Sequence, residues 1–182
     1  MLRNASVAAA AAVTALALTG CLFSPPPIIP PEPPPEMTTP VNVLKNIAIA
    51  YNQRNIELYK KALSPDFVFY FDPRDVGQTP PGSKYIIPES WSYTEDWGAT
   101  NKMFQNAYSI SLSITTSGIG EPGPEETTYL ADNVSINLVV MINELNGYQA
   151  EKGYCNFEFE SYPVGEKKYW RLTKWWDRTS EG

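Results

Sequence analysis

Apolar residues recur every three or four positions through the first part of the chain and every second position through its last third, so helices are expected before strands. Leu44, Ile47, Ala48 and Tyr51 fall on one helical face, with Thr39 placed to cap that helix and Pro40 suited to its first turn. Asn55 suits the cap of a second helix with Ile56, Tyr59, Ala62 and Leu63 on its apolar face, and Ser64-Pro65 stops it. Phe67 to Phe71 reads as an aromatic-rich strand, apolar on both faces and therefore covered on both, ending at Asp72-Pro73. Between Pro73 and Trp91, Pro80, Pro81 and Pro88 with Gly77 and Gly82 mark a long loop, which at this length reads as a lid, a binding loop or a mobile connector. Ser92-Tyr93-Thr94-Glu95 forms a capping box for a third helix, whose buried side carries Tyr93, Trp97, Thr100 and Phe104.

From Tyr108 the period is two. Ile110, Leu112 and Ile114 alternate with serines and Thr115, and Val134, Ile136, Leu138, Val140 and Ile142 alternate with polar partners that include Ser135 and Asn137. Two more strands, near Tyr154 to Tyr162 and Lys167 to Trp176, flank Pro163-Val164-Gly165-Glu166, read as a four-residue hairpin loop. Pairing Tyr162 with Lys167 sets Phe159 against Trp170, Phe157 against Leu172 and Glu158 against Arg171. Helices and a first strand followed by a four-stranded antiparallel meander predict an α+β domain: three N-terminal helices packed on a curved, mainly antiparallel sheet.

The first forty residues follow neither pattern. Arg3 precedes an apolar run from Ala5 to Leu18, too short and too rich in small residues for a membrane-spanning helix, and Leu18-Thr19-Gly20-Cys21 closes it. This order of charge, apolar run and small residues resembles the leader and lipobox of bacterial lipoproteins, in which cleavage precedes an acylated Cys. The resemblance implies a signal peptide over 1–20, lipid attachment at Cys21 and a membrane partner through that lipid. Leu22, by the same resemblance, implies the outer membrane facing the periplasm if the host has two membranes. Residues 21–40 then form the anchor and a spacer with nine prolines from Pro25 to Pro40. In extended polyproline II, at ~3.1 Å per residue, such a segment reaches ~60 Å from a bilayer.

Residues 41–182 suit one domain with its own core. The full chain carries 14 basic and 20 acidic residues; loss of Arg3 with the leader takes the formal charge from −6 to −7, and no basic patch suggests nucleic acid. Histidine is absent, which removes the usual neutral-pH base and the commonest metal ligand. No Cys/His metal site or phosphate-cradling loop is present, and no cofactor is expected. With Cys21 acylated, Cys155 is the one remaining thiol and reads as a small core hydrophobe.

The order of elements, the stretch Ala50-Tyr51-Asn52-Gln53-Arg54-Asn55, then Tyr59 and Asp66-Phe67, and the closing Tyr169-Trp170-Arg171-Leu172 resemble the nuclear transport factor 2-like family, also described as cystatin-like or SnoaL-like cones. That resemblance spans residues from about Val41 to Asp177. It implies an interior between helices and sheet, used by enzymatic members for acid-base chemistry and by others for binding or dimerisation. The apolar face of the last four strands offers no carboxylate or base. Pocket residues therefore come from the helices and the first strand, Tyr51, Tyr59, Tyr70 and Trp97, joined by Trp170 of the last strand. Two readings follow. One is a non-catalytic module that binds a small apolar ligand or a protein partner, with a homodimer through the sheet face. The alternative is an acid-base enzyme of the dehydratase or isomerase type using Asp72 and Tyr70, set against an Asp72 that merely accepts hydrogen bonds in the turn before Pro73.

Overall fold

The computed structural model describes residues 32–80 and 83–178. The leader, Cys21 and the spacer up to Pro31 lie outside the described residues, as do Pro81 and Gly82 of the long loop. Along the chain run α1 (Pro40–Gln53), α2 (Ile56–Ala62), β1 (Leu63–Tyr70), β2 (Ser90–Ser92), α3 (Tyr93–Asn106), β3 (Ser109–Ile114), β4 (Thr128–Met141), β5 (Gly147–Val164) and β6 (Lys167–Asp177). These elements belong to one compact unit that begins at Pro34.

Local chemistry sets the helix starts as the sequence predicts. Thr39 Oγ1 accepts from the Asn42 amide at 3.2 Å, and Asn55 Oδ1 accepts from the Leu58 amide at 3.0 Å. At α3, Glu95 Oε2 accepts from both the amide and the hydroxyl of Ser92, at 2.9 and 2.7 Å. These bonds hold the Glu95 carboxyl below the usual range. Between α1 and α2 the chain reverses through Arg54 in the left-handed region, φ 55°.

The strands form one curved, mixed sheet in the order β2-β1-β6-β5-β4-β3. β1 runs parallel to β6 and the remaining neighbours are antiparallel. The α+β architecture expected from the sequence is therefore present, with differences at element ends: α2 stops at Ala62, Leu63 opens β1 instead of completing the helix face, and β5 starts at Gly147 rather than near Tyr154. Ser90–Ser92 forms a short strand against β1, inside a region read as loop; three residues are too few to show an alternating pattern. The β5–β6 turn is also tighter than expected, because the strands continue through Pro163 and Val164 to a turn at Gly165-Glu166, with Gly165 at φ 61°. Tyr162 consequently pairs with Tyr169 rather than Lys167, and Glu160 rather than Glu158 stands opposite Arg171. From Tyr162 to Phe159 the shift is two residues, which preserves the faces, so Phe159, Trp170 and Leu172 still point into the core; a bulge beyond Phe159 then brings Trp175 inward opposite the buried Phe157.

Val43, Leu44, Ile47, Ala50 and Tyr51 of α1 and Tyr59 and Ala62 of α2 pack over the inner face of the sheet, where Leu112, Val134, Ile136, Cys155, Phe157, Phe159, Trp170, Leu172 and Trp175 are buried. β4 keeps this alternation across a bulge at Asp132 and Asn133, so that Ala131 and Val134 both face inward; Asn133 takes φ 53° there. The first strand is less enclosed than its composition suggests. Phe67 is buried, but Val68, Phe69 and Tyr70 are half-buried because β2 is short and leaves that side of the sheet partly open.

Candidate functional site

Among the described residues two carboxylates are buried, Asp72 and Asp96, and Asp96 is the one that meets the tyrosines of the helices. The third residue after Ser92 along α3 is Glu95, which turns outward to cap the helix, and the next is Asp96, which turns inward and is only 4 % exposed. It lies on the same stripe as Thr100 and Phe104, one and two turns further on, both buried. Tyr59, projecting from α2 and wholly buried, donates its hydroxyl to Asp96 Oδ2 at 2.6 Å. Tyr51 from α1 meets the Tyr59 ring edge-on at 5.5 Å and the Phe104 ring edge-on at 5.2 Å, and its hydroxyl interacts with those of Thr100 and Tyr59. Three helices thus each contribute to one polar cluster beneath an otherwise aromatic core.

Desolvation dominates the electrostatics of this cluster. Burial raises the Asp96 carboxyl to about 6, although the Tyr59 hydrogen bond works in the opposite direction. Burial pushes both tyrosine hydroxyls well above their ordinary range, with the neighbouring Asp96 charge as the next contribution. Near neutral pH the cluster therefore carries one carboxylate that titrates close to 6 and two tyrosines that remain protonated donors. Asp96 is the interior carboxylate that the sequence reading did not single out. The strand faces do lack acids, as read from the alternation; the carboxylate comes from a helix.

The other singled-out residues separate into distinct surroundings. Asp72 is buried, 1 % exposed, and its Oδ1 accepts from the Arg74 backbone amide at 2.9 Å and faces Arg74 Nε at 3.4 Å. This is the turn-capping arrangement, with the Asp72 carbonyl also accepting from the Asp75 amide. Tyr70 is not beside Tyr59: its ring stacks on Trp176 at 5.5 Å, interplanar angle 10°, on the wall of an outer cavity of about 440 Å³ shared with Phe71, Pro73 and Val76. Trp97 is half-buried with Lys60 Nζ 4.9 Å above its ring. Trp170 is 2 % exposed within the core, and its backbone amide donates to Met37 O at 2.8 Å. The structure brings Tyr51 and Tyr59 together with Asp96, places Trp170 elsewhere in the core, and leaves Tyr70 and Trp97 nearer the surface. Among the described residues, no group of histidine, cysteine or carboxylate side chains is arranged to hold a metal ion.

A second cavity, of about 460 Å³, opens where the end of α2 and the start of β1 meet the outer face of β5 and β6. Neither this cavity nor the one beside Tyr70 and Trp176 is lined by Asp96, Tyr51 or Tyr59.

No protein-family model and no curated protein matches this sequence. Solved structures do match in shape. A nuclear transport factor 2-like protein of unknown function in nutrient uptake from Rhodospirillum rubrum is similar at a TM-score of 0.50 and 9 % identity, over 74 % of this chain and 93 % of that one. A protein from Streptomyces avermitilis, assigned as a dehydratase of the same family, is similar at 0.47 and 15 % identity, over 74 % and 88 %. An epoxide hydrolase from Mycobacterium tuberculosis is similar at 0.41 and 16 % identity, over 75 % and 79 %. Identities this low speak to fold alone: the chain adopts the nuclear transport factor 2-like α+β cone.

Proposed function

We propose that this protein is a lipid-anchored module of a bacterial cell envelope whose cone domain acts by binding rather than by turnover. Residues 1–20 are its leader, 21–40 its acylated anchor and spacer, and 41–182 its domain, held at the outer membrane where the host has one. The observation that carries the non-catalytic reading is the closure of the interior around Asp96. A general base must come within hydrogen-bond reach of the proton it removes. Asp96 is 4 % exposed and Tyr59 is wholly buried, and the two spend their short hydrogen bond on each other. Such a cluster ties α1, α2 and α3 together and leaves binding of a small ligand or a protein partner, or pairing of two sheets, to the outer surface. The anchor rests on Leu18-Thr19-Gly20-Cys21 and the charge and apolar run before it. Radiolabelled palmitate should enter the wild type in bacterial cells and not Cys21→Ala; equal labelling overturns the anchor.

One observation favours a second reading. A carboxyl near 6 beside a tyrosine is poised for proton transfer at neutral pH, so the acid-base alternative moves from Asp72 and Tyr70 to Asp96 and Tyr59. A dehydration or isomerisation activity that Asp96→Asn abolishes, in a variant that stays folded with native circular dichroism, would establish it in place of the binding module.

A further inference from the structure

The cavity between α2 and the outer face of the β5–β6 pair sorts charge against the composition of the chain. The sequence has 20 acidic and 14 basic residues, yet Lys60, Lys61 and Arg171 line this groove and no carboxylate does. Tyr93, Tyr162 and Tyr169 supply flat apolar walls between the cations. The alternation of the strands produces the arrangement: Tyr162 and Arg171 project away from the face that buries Phe159, Trp170 and Leu172.

Arg171 is set for a ligand more than for a structural partner. Its guanidinium lies over the Tyr162 ring at 3.9 Å, which fixes the plane of the fork. Its Nε is buried and has no hydrogen-bond partner among the described residues. The acid directly opposite in register, Glu160, instead accepts from the Ser64 hydroxyl. Glu158, two residues along, pairs with Lys174 at 3.0 Å. Lys60 is shared between an exposed Glu57 at 3.6 Å and the Trp97 ring, and Lys61 is exposed. The groove therefore offers two cations not neutralised by a described neighbour, above aromatic walls.

We propose that this groove binds a small soluble amphiphilic anion, a phosphate or carboxylate attached to an apolar body of one or two rings. Arg171 and the two lysines take the anionic head, with the planar fork of Arg171 suited to two oxygens at once. Tyr93, Tyr162 and Tyr169 take the body. The volume of about 460 Å³ falls within the ~300–1,000 Å³ typical of small-molecule sites. The inference rests on the binding-module reading and names the site and ligand class that reading leaves open; it is independent of the lipid anchor.

Calorimetric titration of the purified full chain with 1-naphthyl phosphate tests it, with 1-naphthol and inorganic phosphate as the body and head alone. Naphthyl phosphate should bind in the micromolar to submillimolar range and each half at least tenfold more weakly, with affinity falling as salt rises. Lys61→Gln, at an exposed position, and Arg171→Gln should each weaken binding about tenfold, whereas Lys102→Gln on α3 should change nothing. Arg171→Lys retains the charge and should recover only part of the loss. Absence of binding at millimolar ligand, or equal binding by Lys61→Gln and Arg171→Gln, overturns the proposal. Phosphatidylglycerol vesicles offered to the Cys21→Ala chain address the source of the anion: Arg171-dependent capture of vesicles without binding of naphthyl phosphate overturns the soluble ligand. Failure here leaves the binding module standing, since only an Asp96-dependent turnover removes that.

Discussion

Burial holds the Asp96 carboxyl at about 6, against an ordinary value of 3.8. Between those values the native protein keeps a proton that the unfolded chain has released. The stability this group contributes is therefore present below about pH 4 and is lost as pH rises through 6. The gap corresponds to roughly 3 kcal/mol. Asp96→Asn keeps an oxygen to accept from Tyr59 but does not titrate. Urea unfolding of both proteins from pH 4 to pH 8 should therefore show the variant gaining on the wild type through this interval; a constant difference would refute the buried, titrating carboxyl. Tyr59→Phe removes the donor and leaves the carboxylate buried without it, an expected loss of about 2–3 kcal/mol at pH 8 and less at pH 4, read by the same unfolding curves. At this scale the sequence was half legible. Asp96 sits three residues after Tyr93 and four before Thr100, on the very stripe read as buried, and that spacing is the signal that could have found it. An acid on an apolar stripe is ordinarily assigned to solvent because burial is costly, and the partner that offsets the cost, Tyr59, lies 37 residues away where no local pattern reaches.

Caps and clamps were easier to read than registers, because a cap closes within three or four residues while a register depends on a turn. Thr39, Asn55 and the Ser92-Glu95 box act as their spacing predicts. The β5–β6 register depended on whether Pro163 ends a strand, and here it continues as strand opposite Lys168. The stretch Ala50 to Asn55 has a physical account beyond its resemblance. Asn52 pairs its side-chain amide with both backbone groups of Leu112, donating to O at 3.0 Å and accepting from N at 2.8 Å. Arg54 donates to Tyr108 O at 2.7 Å, just ahead of the same strand. Together they fasten the edge strand β3 to the end of α1, satisfying backbone groups that an edge leaves open. Asn52→Ala should cost about 1–2 kcal/mol and speed hydrogen exchange at the Leu112 amide selectively. Protection at Leu112 unchanged in the variant would mean the β4 pairing alone holds the strand.

At the scale of the whole molecule, anchor and core can be read from one chemical count. The chain has two cysteines, Cys21 at the proposed lipid site and Cys155 in β5. Cys155 is wholly buried, and burial, followed by the nearby Asp177 charge, pushes its thiol up to about 12. The thiolate is the reactive form, so an aromatic disulfide reagent at pH 8 meets a thiol that is both shielded and protonated. Native protein extracted from membranes should release essentially no chromophore over minutes. In guanidinium Cys155 becomes an ordinary exposed thiol, while the sulfur of a lipid-bearing Cys21 is capped and stays silent, so one equivalent per chain is expected. Two equivalents would show Cys21 unmodified and overturn the anchor. Prompt reaction of one equivalent in native protein, with the total in guanidinium still one, would instead show that the core around Phe157 and Trp175 opens on that timescale. One equivalent also arises if the chain is trimmed beyond Cys21, and palmitate incorporation separates the two cases, because a trimmed chain has no site left to label.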